Sequence, residues 1–115
     1  QWGLVPFWAK DPKIGYRMIN ARGETAAEKP AFRAAYQRRR CLVLSDGFYE
    51  WRKDPGRRRK TPVYVRMASG EPFAFAGLWE IWRQEETPLL SCTIITTEPN
   101  DLDRRITTRN AATAR

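Results

Sequence analysis

Arg40-Cys41-Leu42-Val43-Leu44-Ser45-Asp46-Gly47-Phe48-Tyr49-Glu50-Trp51 is the stretch that decides the fold class. Two runs rich in branched and aromatic residues, Cys41–Ser45 and Phe48–Arg52, flank an Asp-Gly pair. Such side chains suit a pleated, half-buried surface, and Asp-Gly is a hairpin-type turn signal. Four further runs share this character: Gly3–Pro6, Val63–Met67, Phe73–Leu78 and Ser91–Thr97. Each is bounded by Gly, Pro, Asp or Ser, which end strands. Ser69-Gly70 marks another turn.

Helical signal is confined to two places. Thr25-Ala26-Ala27-Glu28 reads as a capping box, with Thr25 as N-cap and Glu28 reaching back. Pro30 suits a first helical turn, which predicts a short helix over 30–38 with Phe32, Ala35 and Tyr36 at helical spacing. The second place is Pro99–Ile106. Residues 52–61, with Asp54-Pro55-Gly56 and four consecutive basic residues, read as an exposed loop. The expected class is α+β: mostly antiparallel short strands with a few short peripheral helices, in a single domain over 1–115.

Composition narrows the function. Hydrophobic content of 42% with five Trp argues against disorder. No apolar run approaches the ~20 residues needed to span a bilayer, and Gln1 opens no signal-peptide pattern, so the expectation is a cytoplasmic protein without a membrane partner. Net charge is +8, and residues 33–66 hold eleven of the 21 Lys and Arg against Asp46, Glu50 and Asp54. That excess points to a polyanion, nucleic acid before membrane. There is no His, which excludes a Ser/His/Asp triad, a Cys/His nucleophile and a Cys/His metal site. Cys41 and Cys92 have no metal spacing and read as buried structural thiols. No metal or other cofactor is expected.

Asn20-Ala21-Arg22-Gly23-Glu24-Thr25 brings an amide, a guanidinium and a carboxylate together before a helix start. Asn both donates and accepts, which suits a sugar hydroxyl or aldehyde oxygen, while Arg suits bidentate contact with phosphate. Along Phe48–Arg52 a period of two puts Phe48, Glu50 and Arg52 on one face, Tyr49 and Trp51 on the other. A glutamate beside apolar neighbours would have a raised pKa, fit for a general acid or base. Trp51 could stack on a base or pack in the core, and Trp2, Phe7 and Trp8 around Pro6 pose the same choice. Phe73–Trp82 reads as core throughout. Arg57-Arg58-Arg59-Lys60 could guide a DNA backbone or be merely solvated.

These blocks, with Trp2-Gly3-Leu4-Val5-Pro6-Phe7-Trp8, Lys60–Val65, Ala76-Gly77-Leu78-Trp79-Glu80 and Thr93–Thr97, resemble the SRAP domain of the SOS-response-associated peptidase family. The likeness runs from Trp2 to about Asn100; Leu44 stands where the family usually has Pro. It implies an antiparallel, half-open barrel and capture of abasic sites in single-stranded DNA. It implies that Glu50 handles proton transfers, Asn20 positions the sugar, and Arg22, Trp51, Trp2 and Arg109 contact DNA. The family's covalent link starts at an N-terminal cysteine, whose amine forms a Schiff base with the open sugar and whose thiol closes a thiazolidine. The family also carries an autoproteolytic, peptidase-type activity, a hydrolase or lyase chemistry. The resemblance implies a cysteine-bearing segment ahead of Gln1 and a further strand after Arg115. Thr107 stands in place of the family histidine. Residues 1–115 alone are therefore expected to bind without covalent capture, and the oligomeric state stays open. A non-catalytic, basic β-rich nucleic-acid-binding module is the rival reading, and a degenerate remnant without binding function is a third.

Overall fold

The computed structural model describes residues 1–98 and the backbone of Asn110–Ala111. Among the described residues, seven strands form two sheets. They are β1 (Asn20–Arg22), β2 (Arg40–Ser45), β3 (Phe48–Arg52), β4 (Thr61–Val65), β5 (Phe73–Trp82), β6 (Leu89–Thr97) and β7 (Asn110–Ala111). The large sheet runs β1-β6-β5-β2, with β7 also on β6, and the small one is β3-β4. All pairings between strands are antiparallel except β1 with β6. The class is α+β as expected, and the described strands do not close a barrel.

The Asp46-Gly47 hairpin does not form. β2 pairs with β5, and β3 pairs with β4. A tight two-residue hairpin turn of the Asp-Gly kind needs positive φ, and among the described residues only Gly3, Gly56 and Gly70 have it. Instead Ser45 Oγ donates to the Gly47 carbonyl at 2.7 Å and accepts its N–H at 3.2 Å, which bends the chain out of one sheet and into the other. A side chain at 47 would run into the Tyr64 phenol and force that ring to move.

Other local expectations shift in the same way. Gly3–Pro6 is not a strand; Trp2 alone makes a parallel bridge, to Cys92. Gly3 sits at φ 111° against the backbone of Gly15, and the Val5 N–H donates to Ser91 Oγ rather than to a ladder. The capping-box segment forms turns, with the Thr25 and Ala26 N–H groups both donating to the Arg22 carbonyl. The helix, α1, spans Arg33–Arg38 and starts three residues after Pro30. A 3-10 turn at Pro12–Arg17, capped by Asp11 accepting from the Lys13 N–H, was not signalled by periodicity. Pro99–Ile106 lies outside the described residues.

One face of the large sheet carries the main core. Leu78, Ala21 and Ile95 meet Leu4, Ala26, Phe32 and Ala35 there. Val5, Ala9 and Trp82 form a second cluster, and the Trp82 indole N–H donates to the Ala9 carbonyl at 2.6 Å. Leu78 is fully buried at the centre of the long strand β5. Leu78→Ala should cost about 2–5 kcal/mol through lost burial and the cavity left behind. Urea unfolding would show this as a lower midpoint at unchanged slope; an unchanged midpoint would mean that the core is not organised on β5.

Candidate nucleic-acid interface

Directly paired residues in a sheet project to the same face, and neighbours along a strand alternate. Asn20 pairs with Ile94, Ile94 with Gly77 and Gly77 with Cys41, so these four form one row across the large sheet. Cys92, Phe75 and Val43 belong to the same face, opposite the main core. At Gly77 the row has no room for a side chain: a Cβ would stand 2.9 Å from the Thr93 carbonyl and 3.2 Å from Cys41 Sγ.

The small sheet leans over this face. The Phe48 ring meets Phe75 edge-on at 5.4 Å and Phe73 at 6.0 Å. By alternation Glu50 shares the Phe48 face, and its half-buried state fits that placement. A cleft of about 530 Å³ opens between the sheets, lined by Trp2, Val43, Phe48, Phe75, Cys92 and Ile94 among others. Its walls are mainly apolar, with Asn20 at the Ile94 end of the floor row.

Trp2 and Asn20 come together. The Trp2 indole N–H donates to the Ile19 carbonyl at 2.8 Å, which pins the ring beside the residue preceding Asn20. Trp2 is nonetheless 57% exposed, so its ring is available for stacking. Asn20 and Arg22 belong to a strand and not to a loop, because β6 supplies a partner from more than seventy residues on. On the outer side of β1, Asn20 and Arg22 share a hollow of about 270 Å³ with Arg17 and Lys29. The sequence did not single out Arg17 and Lys29. Arg17 ends the 3-10 turn and Lys29 lies in the turns after β1, and only the fold gathers them.

Trp51 is not brought into the cleft. It lies on the other face of β3, opposite Pro62 and 57% exposed, so core packing is excluded for it. Tyr49 and Tyr64 pack together on that outer face with ring centroids 5.1 Å apart. Thr107 and Arg109 lie outside the described residues.

The two cysteines are free and half-buried. Burial, and then the neighbouring Cys92, push the Cys41 thiol above its ordinary value of 9.0, so it stays protonated near neutrality. With β5 between β2 and β6, their Cα atoms stand roughly 9–10 Å apart or more, beyond disulfide reach. The described residues hold no cluster of three or more potential metal ligands.

The sequence profile of the SOS response associated peptidase (SRAP) family matches residues 1–113. The chain belongs to this family. It is 54% identical over 104 residues to the abasic site processing protein YoqW of Bacillus subtilis (strain 168), covering 89% of this chain and 46% of that protein. It is 36% identical over 106 residues to the abasic site processing protein YMR114C of Saccharomyces cerevisiae, covering 90% of this chain and 28% of that one. Among solved structures, a protein from Bacteroides thetaiotaomicron superposes with a TM-score of 0.86 at 32% identity, over 99% of this chain and 52% of its own. One from Bordetella bronchiseptica gives 0.84 at 26% identity, over 100% and 60%. This SRAP chain thus spans about half the length of YoqW or less of the curated relatives named here.

The basic loop at 53–60 is tied at its base in this SRAP chain. Asp54 accepts from Thr61 Oγ1 at 2.6 Å and from Arg52 Nε at 2.7 Å. The Thr61 hydrogen bond first, and Arg52 second, hold its carboxyl below the ordinary 3.8. A depressed carboxylate supports the fold above its unfolded-state pKa and loses that support as pH falls through the folded value. At the protein surface, where solvent screens the pair, Asp54 contributes little. Thr61→Val should raise the Asp54 midpoint toward 3.8, read by side-chain carbon NMR; an unmoved midpoint would rule out the hydroxyl as the cause.

Proposed function

We propose that this SRAP chain recognises abasic sites in single-stranded DNA and seats the open sugar in the cleft between its two sheets. The observation that carries this reading is a cleft lined by Ile94, the row partner of Asn20, and by Phe48, two residues before Glu50, with cations gathered beside Asn20; Asn20 and Glu50 themselves are not among its lining residues. The names of the relatives support it. An abasic site has no base to read, so recognition must work through the sugar and its flanking phosphates. An unpaired strand lets that sugar reach into a cleft.

Each residue then has a task. Asn20 orients the sugar oxygen through its amide. Arg22, helped by Arg17 and Lys29, holds a neighbouring phosphate, since several cations around one hollow offset the charge of the backbone. Trp2 stacks on a flanking base. Trp51, on the outer face, meets the strand away from the cleft, and Arg109 adds a phosphate contact. Glu50 moves protons at the reacting centre.

The covalent chemistry implied by the family needs an amine and a thiol on one residue. The amine attacks the aldehyde and water leaves, giving an imine. The thiol then adds across the C=N bond to close the thiazolidine. Cys41 and Cys92 are internal and bear no free amine, so neither supplies this pair. Within residues 1–115 the proposed roles are recognition and proton transfer. The peptidase-type activity that names the family would draw on the same centre.

Fluorescence anisotropy tests binding. With ~3–4 phosphates contacted, log K against log salt should slope about −2 to −3, and an abasic oligonucleotide should bind more tightly than its intact counterpart. Equal binding of the two would favour the rival reading of a basic module without lesion recognition. Residues 1–115 should give no adduct that survives heating on a denaturing gel.

Capture should return with a cysteine-headed segment ahead of Gln1 and Thr107→His. It should then slow by ~10²-fold in Glu50→Gln, the scale of losing a general acid or base. Asn20→Ala should slow capture too, whereas Arg22→Ala should weaken binding and flatten the salt slope by about one phosphate. Parent-rate capture by Glu50→Gln would make Glu50 a structural strand residue.

A further inference from the structure

A second cationic groove lies apart from the cleft. The β2–β5 ladder ends at Arg40–Leu78, and the Trp79 N–H donates to the Arg39 carbonyl at 2.9 Å. There the chain departs into α1, and β2 covers none of β5 beyond Leu78. A hollow of about 670 Å³ opens beside this stretch of β5, between α1 and Phe7. Four arginines line it: Arg33 and Arg38 from α1, Arg39 at its end, and Arg83 just past β5. None of its lining residues lines the cleft or the hollow beside β1.

The charge there is not balanced. The carboxylate lining the groove is Glu80, only 3% exposed, and it is already committed. Arg39 Nη2 donates to its Oε2 at 3.0 Å, Arg39 Nε lies 2.9 Å from its Oε1, and the Ile81 N–H also donates to Oε1 at 3.1 Å. Glu85 and Glu86 are exposed but do not line the hollow. Four guanidiniums against one carboxylate leave the groove at +3. Like charges gathered round one concavity repel each other, and low-dielectric walls focus their field. An anion seated there would relieve that repulsion. Planar guanidiniums match phosphate bidentately, and arginines from two elements suit an extended chain of phosphates better than one small ion.

We infer that this groove binds the phosphodiester backbone of DNA flanking the lesion, so that a strand leaving the cleft is held at a second site along α1. The inference rests on the abasic-site reading for the direction of the strand, and on the groove alone for its phosphate chemistry.

Arg33→Gln with Arg83→Gln tests it in the full chain, since both side chains are exposed and the Arg39–Glu80 pair stays intact. The probes are an 8-nucleotide and a 24-nucleotide single strand, each with a central tetrahydrofuran abasic analogue. The double variant should lose about tenfold in affinity for the 24-mer, with a salt slope shallower by about 1–1.5, and keep parent affinity for the 8-mer. Parent affinity for both strands, or an equal loss on both, would overturn the second site. Tighter binding of an oligoglutamate peptide than of the 24-mer would also overturn it, assigning the groove to acidic peptides. Arg22→Ala should instead weaken the 8-mer. If intact and abasic 8-mers bind equally, the lesion reading fails while length dependence through Arg33 and Arg83 still supports the groove.

Discussion

The edge-on contact of Phe48 with Phe73 and Phe75 holds the candidate site together. The small sheet shares no ladder with the large one. What joins them is the Ser45–Gly47 bend, the connection at 66–72 between β4 and β5, and this aromatic cluster. Phe73 and Phe75 also meet edge-on at 5.0 Å, so the three rings act as one block. Edge-to-face pairs add about 0.5–1.5 kcal/mol each beyond their buried area. Through that block the Glu50 face is held over the Asn20 row. Without it, the two halves of the cleft would belong to separate sheets joined only by two short connections.

Charge is distributed around this joint without entering it. The cleft floor is apolar, and the cations stand outside it: Arg17, Arg22 and Lys29 beside β1, and Arg33, Arg38 and Arg83 along α1. A polyanionic strand can therefore be held on the surface while its sugar enters a drier space. Low polarity there strengthens the interactions of any charged or polarised group, which is what proton transfer at Glu50 would use. Cys41, protonated near neutrality, leaves the floor chemically quiet.

Much of the fold was legible because strands announce themselves through local composition. β3 was read to the residue, and β2, β4 and β6 to within two residues at either end. What failed was connection. Asp46-Gly47 carries a hairpin signal, yet the partner of each flanking strand lies elsewhere in the chain, and ladder pairing overrode turn preference. Asn20–Arg22 was not among the expected strands because a three-residue strand has no pattern of its own; it exists only against β6. The 3-10 turn at Pro12–Arg17 is too short for periodicity to show. For the site, Glu50 and Asn20 stood out through their motifs. Arg17, Lys29, Arg33 and Arg83 did not, because single cations on separate elements gain meaning only from the concavity they surround.

Amide hydrogen exchange with and without a single strand bearing a tetrahydrofuran abasic analogue tests the central claim, that the inter-sheet cleft receives the lesion. Protection should appear in Ile19–Arg22, Cys92–Ile94 and Phe48–Glu50 together, and should exceed that given by the intact strand of the same length. Protection confined to the exposed loop at 53–60 and to Trp51–Arg52, with Ile19–Arg22, Cys92–Ile94 and Phe48–Glu50 unchanged, would contradict it.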